Sequence, residues 1–139
     1  MRQSFLEQMS FLKDSMMISY EETNEFIRDF KKLLKKFSSL NDDFGISKKY
    51  TIELFHVKSI DNRGIFEIQG IGNTIERQFF KIKKFQCKSL KGRGARSGIR
   101  VTYVYFPTEQ RILFLEIYFK ANQENENRQR IIDFINATK

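Results

Sequence analysis

A chain of 139 residues with 40% hydrophobic and 30% charged side chains holds one domain with a sizeable core, and is neither disordered nor fibrous. Seven glycines and one proline exclude a collagen-like or proline-rich linker protein, and a single Cys87 and a single His56 exclude an internal disulfide, a cysteine-rich zinc site and any site needing two imidazoles. The 25 Lys and Arg exceed the 17 Asp and Glu by eight, and that excess is confined to one stretch.

Phe5, Met9 and Leu12 share one helical face, so residues 1–15 are expected as an N-terminal extension, possibly helical, ahead of a single domain over 16–139. Met16 to Tyr20 reads as a first strand. Thr23 or Asn24 caps a helix over 24–39, in which Phe26, Phe30, Leu33, Leu34 and Phe37 repeat at helical spacing. Its Lys31, Lys32, Lys35 and Lys36 read as a solvated face near the negative end of the dipole. A second helix is expected over about 42–57, weakened by Gly45, with Tyr50, Leu54 and Val57 on one face. Asp42 and Asp43 fall in the turn that caps it. Asp61-Asn62-Arg63-Gly64 is a turn, and Ile65 to Gly72 is irregular or weakly extended. Glu76 to Lys88 has strand chemistry with interleaved basic residues.

A glycine-rich basic turn, Lys91 to Gly98, follows. Ile99 to Phe106 is a strand with Ile99, Val101, Tyr103 and Tyr105 on one face. After the turn Pro107 to Gln110, Arg111 to Lys120 is an almost wholly apolar strand. Strict alternation there places Leu113, Leu115, Ile117 and Phe119 together, opposite Ile112, Phe114, Glu116 and Tyr118. Three strands in succession point to an antiparallel meander. A helix over 124–137, with Ile131 and Ile135 one turn apart, closes the chain.

Charge gives the first functional lead. Residues 1–75 carry 11 basic and 11 acidic groups, and residues 101–139 carry 5 and 5. Residues 76–100 carry nine basic groups against Glu76 alone. A neutral scaffold with one basic patch fits a polyanionic partner such as nucleic acid. No run of about 20 apolar residues is present to span a membrane. The first 15 residues include Glu7 and Asp14 and do not read as a secretory signal. A cytoplasmic protein is expected.

Several chemistries lack their residues. There is no phosphate loop of the Gly-x-x-x-x-Gly-Lys-Ser/Thr type, and Lys91-Gly92-Arg93-Gly94 has the wrong spacing for a dinucleotide fingerprint. A two-metal nuclease needs convergent carboxylates that the basic segment does not offer. No metal and no cofactor are expected. His56 reads as a packed histidine and Cys87 as a packed strand cysteine. The basic turn differs, because Lys91, Arg93 and Arg96 alternate with small residues that let a phosphate approach the backbone. Arg100 enters the next strand on the face away from Ile99 and Val101.

Lys88-Ser89-Leu90-Lys91-Gly92, then Ser97-Gly98-Ile99-Arg100-Val101-Thr102-Tyr103, then Ile112 to Lys120, together with Phe26 to Lys36 upstream, resemble the RelE/ParE toxin superfamily of bacterial and archaeal toxin–antitoxin systems. The resemblance covers about residues 16–136. It implies an α+β fold: an N-terminal helical hairpin packed on a twisted, mainly antiparallel β-sheet, with a short C-terminal helix. It implies a cognate antitoxin protein as partner. For the RelE-like branch it implies an mRNA interferase working at the ribosomal A site, where the ribose 2′-hydroxyl attacks the adjacent phosphate and translation stops. Messenger RNA and ribosomal RNA are then the further partners.

On that resemblance Arg100 stabilises the transition state, and Lys91, Arg93, Arg96 and Lys120 complete the catalytic basic set. Lys81, Lys83, Lys84 and Lys88 bind the RNA backbone. The terminal helix lacks the Tyr some members use, and Arg128 or Arg130 is the nearest substitute. Ala121 stands where a second basic residue is common. A gyrase-poisoning toxin of the ParE branch, or a catalytically silent RNA-binding domain, are the alternatives.

Overall fold

The computed structural model describes residues 18–61, 63–90 and 97–138. In chain order these form strand β1 (Ser19–Glu22), helix α1 (Asn24–Lys36), helix α2 (Leu40–Ser47), a π-helical turn (Lys48–Glu53) and a short helix α3 (Leu54–His56). Strands β2 (Ile65–Glu67), β3 (Gln78–Ile82), β4 (Ile99–Phe106) and β5 (Arg111–Phe119) follow, then helix α4 (Arg128–Ala137). The fold is α+β. One five-stranded sheet has the order β1-β5-β4-β3-β2, with β1 parallel to β5 and the remaining pairs antiparallel. Among the described residues no helix is long and apolar enough to cross a membrane.

Helix α1 starts where Thr23, in extended conformation, turns its Oγ1 to accept the Phe26 N–H at 3.1 Å. This satisfies one of the amides that a helix start leaves open. Its five expected apolar residues all enter the larger core. The helix ends at Lys36 rather than 39, because Phe37 leaves helical geometry and packs edge-on against Phe119, ring centres 5.1 Å apart.

The second helix departs furthest from expectation. It begins at Leu40 and widens into the π-helical turn at Lys48–Glu53. The Tyr20 hydroxyl reaches into that turn from β1, where the Lys48 carbonyl (3.3 Å) and Glu53 Oε1 (3.1 Å) accept from it. A carbonyl drawn aside by an inserted side chain is an ordinary cause of such an irregularity. Tyr50 is left 57% exposed while Ile52 is fully buried, so the expected Tyr50–Leu54–Val57 face does not form. Asp43, expected in the capping turn, is buried in the first turn of α2, where its Oδ2 accepts from the Oγ of Ser39, the residue before the helix, and also from the distant Lys88 amide.

The sheet buries a core on each face. Phe26, Leu33, Phe44 and Ile52 from the α1–α2 side pack on Phe80, Val101, Tyr103 and Phe114. On the other face Ile131 of α4 packs on Phe79, Val104 and Leu115. The expected alternation holds in β4 but not in β5. Tyr103 pairs with Phe114 while Thr102 pairs with Glu116, so Leu115 is an extra residue. This β-bulge shifts the side-chain parity. Ile112 and Phe114 before it, and Ile117 and Phe119 after it, all belong to the α1–α2 core, whereas Leu113 and Leu115 belong to the α4 core.

Other boundaries move as well. The basic strand spans only Gln78–Ile82, and Lys83 to Leu90 is irregular apart from one bridge at Phe85. The stretch expected to be irregular or weakly extended supplies a short edge strand, Ile65–Glu67, paired with β3. The last helix starts at Arg128, where Asn127 Oδ1 caps it by accepting the Arg130 N–H at 3.1 Å. The expected face of Phe5, Met9 and Leu12 lies outside the described residues.

Candidate nucleic-acid interface

The site is built on the α4 face of the sheet, beside the N-terminal start of α4. Phe80 and Ile82 point to the α1–α2 core, so alternation sends Lys81 to the opposite face. Lys81 pairs across the ladder with Thr102, and Thr102 with Glu116. Two residue pairs further along, and so on the same face, Arg100 stands directly opposite Tyr118. Two rows of polar side chains thus lie side by side on a sheet that is otherwise covered by apolar packing.

Arg100 is held by main-chain carbonyls. Its Nη1 donates to the Lys83 oxygen at 2.7 Å and to the Ile99 oxygen at 3.4 Å. Among the described residues no carboxylate pairs with it, so its charge is not neutralised by a direct ion pair. Lys83 is exposed, with its ammonium 4.6 Å from the centre of the Phe66 ring. Lys120 is exposed just past β5, and its amide donates to the Gly98 carbonyl at 2.8 Å. That bond, with Ser97 Oγ accepting the Ile99 N–H at 3.1 Å and donating to the Phe85 carbonyl, closes the stem of the basic turn. Gly98 has φ +86, and a Cβ there would sit 3.2 Å from the Phe119 ring. Only glycine fits this stem without strain.

Lys81 and Tyr118 carry the electrostatics. Lys81 is half-buried and its ammonium meets Glu126 Oε2 at 2.5 Å. Burial pushes the Glu126 carboxyl up, but the Lys81 hydrogen bond and charge, its own amide and the Arg128 charge outweigh it, and the pKa falls below the usual 4.5. Burial pushes the Tyr118 phenol well above 10.0; Glu126 and Glu116 add to this and Arg100 opposes it. The phenol therefore stays protonated at neutral pH and can donate a hydrogen bond. Glu116 is buried, with Oε2 accepting from Gln123 Nε2 (2.9 Å) and Oε1 from the Asn127 amide (2.8 Å). It anchors the start of α4, and with it the turn that carries Glu126.

The expected basic residues divide into three places. Arg100, Lys83 and Lys120 gather around the stem of the basic turn, with Lys81 tied to Glu126 beside them. Lys84 and Lys88 line a cleft on the α2 side that Arg100 does not line. Arg128, at the start of α4, donates to the Gln69 carbonyl at 2.7 Å and influences Glu126 by its charge. Arg130 is structural: its Nη1 donates to Asp29 Oδ2 (2.6 Å) and to the Leu115 carbonyl (3.1 Å). Lys91, Arg93 and Arg96 lie outside the described residues.

Tyr118, Glu116 and Glu126 were not anticipated as site residues. Without the bulge, the Phe106–Arg111 register would continue to Arg100 opposite Ile117, and Tyr118 would not face Arg100. Glu126 arrives from an irregular segment whose path has no periodic signal. His56 is packed as expected, its Nε2 2.7 Å from the Tyr103 hydroxyl, and burial lowers its pKa to about 4. Cys87 is buried in the larger core, though in an irregular segment rather than a strand, and burial pushes its thiol up. Among the described residues no group of three or more His, Cys, Asp or Glu converges to hold a metal ion.

No protein-family model matches the chain, and no curated protein matches it. Among solved structures it is similar to the archaeal RelE-RelB complex from Pyrococcus horikoshii OT3, with 10% identity and a TM-score of 0.46, over 74% of this chain and 94% of that chain.

Proposed function

We propose that this chain is the toxin of a toxin–antitoxin pair and acts as a ribosome-dependent endoribonuclease on messenger RNA. The motif order in the sequence supports the reading. The observation that carries it is Arg100, fixed by two carbonyls beside the protonated phenol of Tyr118 at the stem of the basic turn. A cation without a carboxylate partner, next to a neutral donor, suits a phosphate that gains charge in its transition state.

In the proposed reaction the ribose 2′-oxygen attacks the adjacent phosphorus and the bond to the following 5′-oxygen breaks. The products are a 2′,3′-cyclic phosphate and a 5′-hydroxyl. One proton leaves the 2′-hydroxyl and one reaches the departing 5′-oxygen. Arg100, with Lys91, Arg93, Arg96 and Lys120, balances the phosphorane charge. A lysine of this set takes the 2′-proton. The Tyr118 phenol donates a hydrogen bond to the phosphate and stands in for the Tyr that the terminal helix lacks. Lys83 and Arg128 contact the RNA backbone, while Lys81 holds Glu126 in place. A cognate antitoxin covers this basic surface when the toxin is silent.

Induced expression in a host without the antitoxin, with primer extension on a translated transcript, tests the reading. The expected result is growth arrest with cuts inside translated codons that vanish when initiation is blocked. Arg100→Ala is expected to fold and to give neither arrest nor cuts. Arrest with DNA breaks and no RNA cuts points instead to gyrase poisoning. No arrest from folded protein points to a silent RNA-binding domain.

A further inference from the structure

The α2 side carries a second polar cleft that the proposed reaction does not use. It has a volume of about 360 Å³ and lies between the α2–π-turn segment and the irregular stretch after β3. That volume is in the range of small-ligand sites. One wall carries Ser47, Tyr50 and Thr51, and the other Lys84, Gln86 and Lys88.

Three observations single it out. The Ser47 hydroxyl is buried, with the residue 6% exposed, and is without a hydrogen-bond partner among the described residues. Buried hydroxyls are normally paired, so an orphan lining a cleft marks a place for a ligand atom. Tyr50 is 57% exposed because the π-helical turn displaces it from the core, and such turns recur at functional sites. The ammonium of Lys49 lies 5.5 Å from the Tyr50 ring centre. Lys84 and Lys88 are exposed, and no acidic side chain pairs with them among the described residues.

We infer that this cleft binds a nucleotide unit. Its aromatic base stacks on Tyr50, its polar edge meets Ser47, Thr51 and Gln86, and its phosphate lies on Lys84 and Lys88. Asp43 at the cleft wall already accepts from Ser39 Oγ (2.6 Å) and the Lys88 amide (3.0 Å), which fixes Lys88 at the mouth. Its negative charge keeps a phosphate out at the lysines and favours a base edge that donates N–H groups. The unit is either a free nucleotide or a base splayed from single-stranded RNA, which uses the same chemistry. The site is separate from Arg100 and does not depend on RNA cleavage.

The test is a titration of the full chain with adenosine monophosphate and with a labelled single-stranded RNA oligonucleotide, repeated for Tyr50→Ala, Lys84→Glu and Arg100→Ala. Circular dichroism checks that each variant is folded. Binding that weakens about tenfold or more in both Tyr50→Ala and Lys84→Glu, and less in Arg100→Ala, supports the site. If the loss is seen with the mononucleotide, the ligand is a free nucleotide; if with the oligonucleotide alone, it is a strand. Binding of both probes unchanged in Tyr50→Ala overturns the proposal. So does a loss confined to Lys84→Glu, which is charge attraction without a base site. Because the readout is binding, it can fail while Arg100 proves essential for cleavage, and the reverse.

Discussion

His56 stays neutral in the folded protein because Phe55, Phe80, Tyr103 and Tyr105 surround its ring. Burial lowers its pKa from 6.5 to about 4, while the unfolded chain keeps the ordinary value. Between those limits the unfolded state holds a proton that the folded state does not. The stability contributed by neutral His56 is therefore complete above pH 6.5 and is lost as pH falls toward 4, a change of roughly 3 kcal/mol. Denaturant melts at pH 7 and pH 4 are expected to show a loss larger by about that amount in the parent than in His56→Gln; equal losses would refute it. At the proposed site, Tyr118→Phe keeps the packing and removes the donor. It is expected to slow RNA cutting by about tenfold to a hundredfold with the fold intact, measured as cut fraction against time. Arg100 was legible from the sequence as a strand arginine after the basic turn. Its neighbour Tyr118 was not, because nothing in an apolar run marks which residue a bulge will insert.

Two glycines show how the elements depend on local geometry. Gly45 lies in α2 with open space around a would-be Cβ, so Gly45→Ala is expected to raise stability by about 0.5–1 kcal/mol. Gly98 has φ +86 and faces the Phe119 ring, so Gly98→Ala is expected to lower stability by about 1 kcal/mol or more. Urea midpoints of the two variants should move in opposite directions. Helix α1 and the face of β4 were readable because one apolar period runs through each. The second helix was misjudged because Tyr20, far away in sequence, opens its ladder at Lys48. The basic strand was read too long because lysines interleaved with phenylalanines look extended, whereas pairing with β4 stops at Ile82.

Across the whole molecule, the two faces of the sheet are tied around its β5 edge. Strand β1 pairs with β5 only as far as Phe114, and beyond it Arg130 of α4 reaches Asp29 of α1 at 2.6 Å. Both side chains are about three-quarters covered, so a double-mutant cycle of Asp29→Ala and Arg130→Ala should give a coupling of about 1 kcal/mol. Such a link between layers is invisible in sequence, since its partners lie 101 residues apart. It steadies α4 behind the turn that brings Glu126 to Lys81, and so supports the polar face on which Arg100 sits. If, as proposed, this face promotes attack by a ribose 2′-hydroxyl on messenger RNA within the ribosome, the 2′-oxygen of the message is indispensable. The most direct measurement uses purified protein, programmed ribosomes and messages with ribose or 2′-deoxyribose at the A-site position. The expected result is cutting of the ribose message alone, with a cyclic phosphate end, and no cutting of the same RNA free of ribosomes. Equal cutting of the deoxy message, or no cutting of either by folded protein, would contradict it.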